Sequence, residues 1–150
     1  MRIAVGSDEA DQLTDFLVKE LRNRGHEVVR TGALADGQDP RWPAVGTAVG
    51  RLVANGDCDE GVVCCFTGTG VSMAANKVHG VRAALCEDAQ TAAGAKQWNH
   101  ANVLALSLRS TSITKAKEIL DAWFSTPDGT GEDAEMVHML NTMDRGAQLS

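Results

Sequence analysis

The sequence predicts an α/β fold: one Rossmann-like domain in which a doubly wound, five-stranded parallel sheet lies between two layers of helices. Short apolar runs alternate along the chain with segments whose apolar residues recur at helical spacing. These runs are almost continuously apolar, which is typical of parallel strands that are buried on both faces. The 150 residues are enough for a single domain with a substantial core.

Five short runs are predicted to be the strands. They are Arg2 to Val5, Glu27 to Arg30, Gly61 to Phe66, Arg82 to Cys86 and Val103 to Leu108. Ligands of open parallel sheets bind beyond the carboxyl ends of the strands. The loops expected to hold a site are therefore Gly6 to Ala10, Thr31 to Trp42, Thr67 to Gly70, Glu87 to Ala89 and Arg109 to Thr111.

Helical periodicity predicts three crossover helices, around Leu13 to Leu21, Val45 to Val53 and Ile113 to Trp123. A fourth helix is expected to begin near Val71 or Ser72, directly after a glycine-rich turn.

The chain divides near residue 125. Residues 1–125 are expected to form the α/β domain, and residues 126–150 to form a linker followed by a helix. The linker is rich in turn-forming residues, and the short amphipathic helix is predicted over Ala134 to Arg145.

Charge and hydropathy exclude several classes of function. A net charge of −6 and a pI near 5.1 argue against nucleic acid or an anionic membrane surface as the main partner. No apolar stretch approaches the roughly 20 residues of a membrane span, and the N-terminus does not resemble a signal peptide. We therefore expect a cytoplasmic protein.

The four cysteines show no C-x-x-C pair, so neither a zinc site nor a disulfide framework is indicated. Cys58, Cys64 and Cys86 are interpreted as small apolar residues in or near the core. Cys64 and Cys65 are adjacent on a predicted strand, so their side chains are expected to point to opposite faces.

The most informative segment is the turn Thr67-Gly68-Thr69-Gly70, between a buried strand and a helix. Two glycines in such a turn allow backbone amides to converge, and the helix N-terminus adds a positive partial charge. The turn therefore indicates an anion site. A plain tight turn and a nucleotide site remain alternatives, although the turn does not fit the usual nucleotide-binding patterns.

Cys65 lies at the end of the strand, directly before this turn. Amide donors and a nearby hydroxyl favour the thiolate form of a cysteine. A thiolate facing an oxyanion site is suited to removing a proton next to a carbonyl while the amides hold the resulting enediolate. Isomerisation of an aldose and a ketose is such a reaction.

A nucleophilic thiol in acyl transfer is the alternative role for Cys65, and it would need an oriented histidine. His26 and His79 are expected at the surface. His100 is the plausible site histidine.

Several ordered motifs resemble the family of type B ribose-5-phosphate isomerase and the galactose-6-phosphate isomerase subunits, over about residues 1–125. The resemblance rests on Gly6-Ser7-Asp8, on Cys65 to Ser72 followed by Ala74 to Lys77, on Gly80 to Ala83, on Asn99 to Leu104, and on Arg109. It implies a homodimer or dimer of dimers with active sites between two subunits and no metal or organic cofactor. Residues 126–150 are then expected to pack at the dimer interface.

The resemblance also implies roles for particular residues. Cys65 resembles the proton-transferring cysteine, Thr67 the threonine beside it, and Gly68, Thr69 and Gly70 the cradle for the enediolate. Ser72 closes the same motif and is assigned to substrate binding.

Three further positions are assigned to the substrate by the resemblance. Asp8 matches an aspartate that binds sugar hydroxyls, Asn99 a polar residue near the sugar, and Arg109 a phosphate-binding arginine. Asp8 as a helix cap and Arg109 as a solvated residue are the structural alternatives.

The chain departs from the family pattern at five positions. Glu9 and Trp98 stand where histidines are usual, the latter being the histidine that opens the sugar ring, and Trp42 stands where a tyrosine is usual. A gapless extension places Glu132 and Met136 where two phosphate-binding arginines are usual. Glu9, Trp42 and Trp98 are still expected to contact the substrate.

These departures predict an atypical substrate. An indole has no basic nitrogen, so Trp98 cannot move protons during ring opening. Either His100 replaces the missing histidine, or the substrate is already open, as is a four-carbon sugar phosphorylated on its last hydroxyl. A non-catalytic or partner subunit of a related isomerase complex is the alternative function.

Overall fold

A computed structural model describes residues 1–146, in which five strands alternate with five helices before a C-terminal sixth helix. The strands are β1 Arg2–Ser7, β2 Glu27–Gly32, β3 Glu60–Cys65, β4 Ala83–Leu85 and β5 Val103–Ser107. The helices are α1 Gln12–Asn23, α2 Trp42–Ala54, α3 Thr69–Asn76, α4 Ala89–Asn99, α5 Ile113–Ser125 and α6 Glu132–Asp144.

The five strands form one parallel sheet in the order β2-β1-β3-β5-β4. The predicted single-domain, doubly wound α/β fold is thus confirmed. The chain moves from β1 outward to β2, then crosses back to β3 on the other side of β1. The carboxyl ends of β1 and β3 therefore flank a switch point, where parallel sheets bind ligands.

Two hydrophobic cores lie on the two faces of the sheet. The first contains the buried residues of α1, α4 and α5, and the second contains those of α2 and α3. Cys64 belongs to the first core and Cys65 to the second, which confirms that the two side chains point to opposite faces. Cys58 and Cys86 are also buried, as predicted.

One helix was not predicted. Glu87 to Ala89 was predicted to be a loop, with no helix before β5, whereas α4 begins at Ala89. α4 is rich in alanine and has Trp98 as its one large apolar residue, so it lacks the repeated large apolar residues that mark a helical face. The only local signal is Asp88, whose side chain accepts a hydrogen bond from the Thr91 amide and caps the helix.

Several predicted boundaries were also wrong by a few residues. α3 begins at Thr69 rather than near Val71, because Gly68 takes a left-handed conformation and serves as its N-cap. β1 extends to Ser7, and β4 is only three residues long. The extension of β1 lengthens the sheet next to the switch point, whereas β4 is shorter than predicted.

The C-terminal helix α6 starts two residues before the predicted position and ends one residue before it. Val137 is buried, whereas four large apolar residues of α6 are exposed: Met136, Met139, Leu140 and Met143. Residues 147–150 of the predicted C-terminal segment lie outside the described residues. None of the helices within residues 1–146 is long and apolar enough to span a membrane.

Candidate active site

Asp8 and Cys65 are brought together at the switch point between β1 and β3. Ser7 pairs with Cys64 in the sheet, and the Asp8 amide donates to the Cys64 carbonyl at 3.3 Å. The Ser7 hydroxyl donates to the Glu9 carbonyl at 2.6 Å and accepts from the Glu9 amide at 3.2 Å. These bonds turn the chain directly after β1, which places Asp8 beside Cys65 and leaves Glu9 exposed.

The Asp8 carboxyl is prepared for a ligand. Its Oδ1 atom is buried and has no hydrogen-bond partner within residues 1–146. Burial, and after it the charge of Glu9, raises the pKa of Asp8. Asp8 does not cap α1, because Asp11 and Thr14 form a reciprocal capping box there. An unpartnered buried acceptor of this kind suits the hydroxyl groups of a bound sugar.

Cys65 ends β3 with only 5% of its surface exposed. Its carbonyl accepts from the Leu108 amide at 3.0 Å, and the next carbonyl, of Phe66, accepts from the Arg109 amide at 2.9 Å. The Ser107 hydroxyl also donates to the Phe66 carbonyl, at 2.9 Å. The backbone after Cys65 is therefore fixed to the end of β5, which also positions the exposed Arg109 beside it.

The other cysteines are held as thiols. Burial raises the pKa of Cys86 to about 12, and it raises the pKa of Cys58 and, more strongly, that of Cys64. Cys65 is the cysteine that ends β3, directly before the glycine turn.

Gly68 determines the shape of this turn. Its φ angle is 77°, and a Cβ there would lie 2.9 Å from the backbone carbon of Leu106. The first backbone bond of α3 joins the Ser72 amide to the Gly68 carbonyl at 3.3 Å. The amides of Thr69, Gly70 and Val71 have no acceptor within residues 1–146, so they form the cradle that the sequence predicts.

Two hydroxyl groups flank Gly68. Thr67 Oγ1 and Thr69 Oγ1 lie 2.7 Å apart in a hydrogen bond, and either can be the donor. Both residues are exposed. Ser72 lies one turn further into α3 and is partly buried.

Trp42 links this turn to an adjoining cleft. A Cβ on Gly70 would lie 2.9 Å from the indole ring of Trp42, so the ring packs against the turn. Trp42 and Asp8 also line a cleft of about 970 Å³, together with Asp39 and Arg41. Asp39 and Arg41 were not predicted as site residues, and their only sequence signal is an acid and a base on either side of Pro40.

Asp39 and Arg41 form an exposed bidentate ion pair at the rim of that cleft. Arg41 Nη2 donates to Asp39 Oδ2 at 2.6 Å, and Arg41 Nε donates to Asp39 Oδ1 at 3.0 Å. These hydrogen bonds lower the pKa of Asp39 to about 2. The pair fixes the chain just before Trp42.

The structure does not bring Trp98, Asn99 and His100 to Cys65 within one chain. They end α4, which runs back to the amino ends of the strands. There the Gly61 amide donates to the Asn102 carbonyl at 3.0 Å, four residues before Cys65 in β3. Gly61 and Cys65 are therefore about 13 Å apart along β3. The end of α4 lies toward the Gly61 end of this strand.

The side chains at this opposite edge have their own contacts. The Trp98 ring folds back onto Gly94 of the same helix and is 55% exposed. His100 Nε2 forms a 2.7 Å hydrogen bond with the Gly129 carbonyl, and its backbone takes a left-handed conformation with φ of 47°. His100 is thus tied to the linker that precedes α6.

A cysteine, a carboxyl and helix N-terminal amides without partners in residues 1–146 lie where a parallel sheet binds its ligands, as in α/β enzymes. The chain belongs to the Ribose/Galactose Isomerase family, whose sequence profile matches residues 3–140. Sugar-phosphate isomerases of this kind interconvert aldoses and ketoses.

Individual relatives agree with this family. The chain is 37% identical to galactose-6-phosphate isomerase subunit LacB of Clostridium acetobutylicum, over 95% of this chain and 83% of that protein. It is 33% identical to D-erythrulose-4-phosphate isomerase of Pectobacterium atrosepticum, over 93% of each chain. The structure of ribose-5-phosphate isomerase B from Clostridium thermocellum superposes with a TM-score of 0.90 at 34% identity, over 97% of this chain and 99% of that one.

Proposed function

We propose that this protein interconverts an aldose phosphate and a ketose phosphate, with Cys65 as the group that moves the proton between C1 and C2. The observation that carries the proposal is the position of Cys65 between the unpartnered carboxyl of Asp8 and the free amides of the glycine turn. A base, an acceptor for the sugar hydroxyls and an oxyanion site are three groups that an enediolate mechanism uses.

The steps follow from this arrangement. The Cys65 thiolate takes the proton from C2 of the open aldose, and the C1 oxygen acquires negative charge. The amides of Thr69, Gly70 and Val71 stabilise that charge, and the positive end of α3 stabilises both the thiolate and the enediolate. Return of the proton to C1, together with transfer of the C2 hydroxyl proton to the C1 oxygen, gives the ketose. Asp8 accepts hydrogen bonds from the sugar hydroxyls and fixes the carbon chain.

The substrate proposed is atypical: a four-carbon sugar phosphorylated on its last hydroxyl, which has no free hydroxyl able to close a five-membered ring. Trp98 has no basic nitrogen for ring opening. The hydrogen bond between His100 Nε2 and the Gly129 carbonyl also supports a substrate that needs no ring opening, because it holds the imidazole at the linker. The named activity of the Pectobacterium relative on erythrulose 4-phosphate is consistent with this substrate. Arg109, beside Cys65, is the proposed phosphate contact.

A second copy of the chain completes the site in this proposal. Trp98 and Asn99 end α4 toward the amino ends of the strands, whereas Cys65 lies at the carboxyl end of β3, so they would serve the site of a partner. A homodimer or dimer of dimers, with residues 126–150 at the interface, would bury the exposed apolar residues of α6. We place this enzyme in the cytoplasm.

A subunit of a two-chain isomerase is the second candidate. The Clostridium acetobutylicum relative is named as a subunit, and it is 37% identical to this chain. In that case the chain would lend binding surface to a related partner and be inactive alone. The intact Cys65, Thr67 and glycine turn favour the first candidate.

A panel of tetroses, pentoses and hexoses, free and phosphorylated, tests the proposal through the rate at which each aldose and ketose interconvert. We expect the purified chain to turn over erythrulose 4-phosphate more efficiently than ribose 5-phosphate. Efficient conversion of ribose 5-phosphate that collapses in His100→Ala would contradict the substrate proposal. Inactivity of the purified chain on every sugar would favour the subunit.

A further inference from the structure

The hydroxyl groups of Thr67 and Thr69 form a pair beside the proposed base. We infer that this pair is a second catalytic device, which carries the proton between the two oxygens of the substrate while Cys65 carries the proton between the two carbons. The inference rests on the proposed isomerase function and adds a role for Thr69 beyond lining the cradle.

The local geometry prepares the pair for this task. Thr67 and Thr69 stand on either side of Gly68, whose left-handed conformation and close packing on Leu106 fix the turn. The two Oγ1 atoms are 2.7 Å apart, and within residues 1–146 neither has another hydrogen-bond partner. Both residues are exposed, so the remaining hydrogen-bonding capacity of each hydroxyl is open to a ligand.

The chemistry requires such a device. Removal of the C2 proton from an aldose leaves the negative charge on the C1 oxygen and the proton on the C2 oxygen. If nothing moves between these oxygens, the carbon proton can only return to C2, and the aldose is regenerated. Formation of the ketose needs the C2 oxygen to lose its proton and the C1 oxygen to gain one.

The hydroxyl pair meets this need with balanced transfers. Thr67 Oγ1 accepts the proton of the C2 hydroxyl and passes its own proton to Thr69 Oγ1, which passes its own to the C1 oxygen. Each threonine ends as a neutral hydroxyl, and the C2–O bond becomes a carbonyl as C1 is protonated. Because either hydroxyl can be the donor in the 2.7 Å bond, the same relay runs in the reverse direction.

Other groups at the site are less suited to this transfer. The indole of Trp98 has no basic nitrogen, and the His100 ring is engaged by Gly129. Asp8 approaches from β1, on the other side of Cys65, where its unpartnered oxygen suits the hydroxyls further along the sugar.

The test compares two rates in D2O, namely net isomerisation and the exchange of the C2 proton in recovered aldose. In Thr69→Val, which keeps the shape and removes the hydroxyl, isomerisation should fall at least about tenfold, the low end of general acid–base effects. Exchange should fall much less, so the ratio of exchange to isomerisation should rise. Thr69→Ser should return this ratio close to the wild-type value.

Thr114→Val is the matched control, because Thr114 is an exposed threonine of α5, a helix that packs on the sheet face opposite the one that carries Cys65. Melting temperatures of all variants exclude a loss of fold as the cause. An equal fall of both rates in Thr69→Val, or no fall in either, would overturn the relay while leaving the isomerase function intact. A wild-type chain that neither exchanges nor isomerises any sugar would instead overturn the proposed function.

Discussion

The indole ring of Trp42 lies against the backbone of Gly70, so closely that a Cβ on Gly70 would lie 2.9 Å from two ring carbons. Trp42 begins α2 and Gly70 lies in the first turn of α3. The contact therefore joins the starts of two helices at the edge of the proposed site, and it makes the ring a wall of the space next to the amide cradle.

Gly70→Ala should destabilise the protein by about 1 to 3 kcal/mol and reduce kcat/KM, because the added methyl group forces the ring away. Denaturant unfolding and steady-state kinetics measure the two effects. In a Trp42→Ala background the same substitution should cost less, which gives an interaction free energy of at least about 0.5 kcal/mol. Strictly additive effects would show that the ring does not pack on Gly70.

Gly68→Ala should be more harmful than Gly56→Ala, although the two glycines have nearly equal φ angles of 77° and 79°. A left-handed alanine costs about 1 to 2 kcal/mol at either position. At Gly56 nothing lies within 4 Å of the new Cβ, whereas at Gly68 the Leu106 backbone carbon lies at 2.9 Å. Chemical denaturation should show the excess cost at Gly68, and equal costs would contradict a turn packed on β5.

Asp8→Asn should stabilise the protein at pH 7 while reducing turnover. Burial raises the pKa of Asp8 in the folded state above its unfolded value of about 3.9, so ionisation disfavours the folded state. That penalty is absent below about pH 3.9 and complete once the pH exceeds the folded pKa. The stability gain should therefore be present at pH 7 and vanish near pH 4 in urea unfolding curves. If the variant is less stable than the wild type at pH 7, the conclusion that the buried Asp8 carboxyl lacks a hydrogen-bond partner is wrong.

A mixture of two inactive variants should regain activity if each site uses two subunits. Cys65→Ala removes the base from the carboxyl edge of the sheet, and Asn99→Ala alters the opposite edge. Random pairing after joint refolding should give about a quarter of wild-type activity, because half of the dimers are mixed and each has one intact site. Activity no higher than the sum of the two separate variants would place the whole site within one chain.

The sequence was sufficient to predict the parallel sheet, because its strands are short, apolar and separated by turns and helical segments. It also identified the residues of the β1 and β3 loops, since Asp8 and Cys65 both follow strands that must end at the same edge. The missed helix α4 had the largest consequence. Without it, the direction of the chain through Trp98, Asn99 and His100 was unknown, so their distance from Cys65 in the same subunit was not foreseen.

Other features needed coordinates because they depend on packing rather than on residue type. The contact of Trp42 with Gly70 joins parts of the chain that no pattern relates. The engagement of His100 by Gly129 depends on the path of a linker that sequence describes only as rich in turns. Similarly, the sequence did not show that Asp11, rather than Asp8, caps α1. The buried Asp8 carboxyl therefore has an oxygen without a partner within residues 1–146.

The role of Cys65 as the proton-transferring base is tested most directly by the exchange of the substrate C2 proton with D2O, followed by NMR. The wild type should incorporate deuterium at C2 of the preferred aldose phosphate, and Cys65→Ala should lose this exchange with its fold intact. Cys64→Ala is the neighbouring control, which should cost about 1 kcal/mol of stability and keep the exchange, because Cys64 is buried in the opposite core. Exchange that persists in Cys65→Ala at more than a few per cent of the wild-type rate would contradict the assignment.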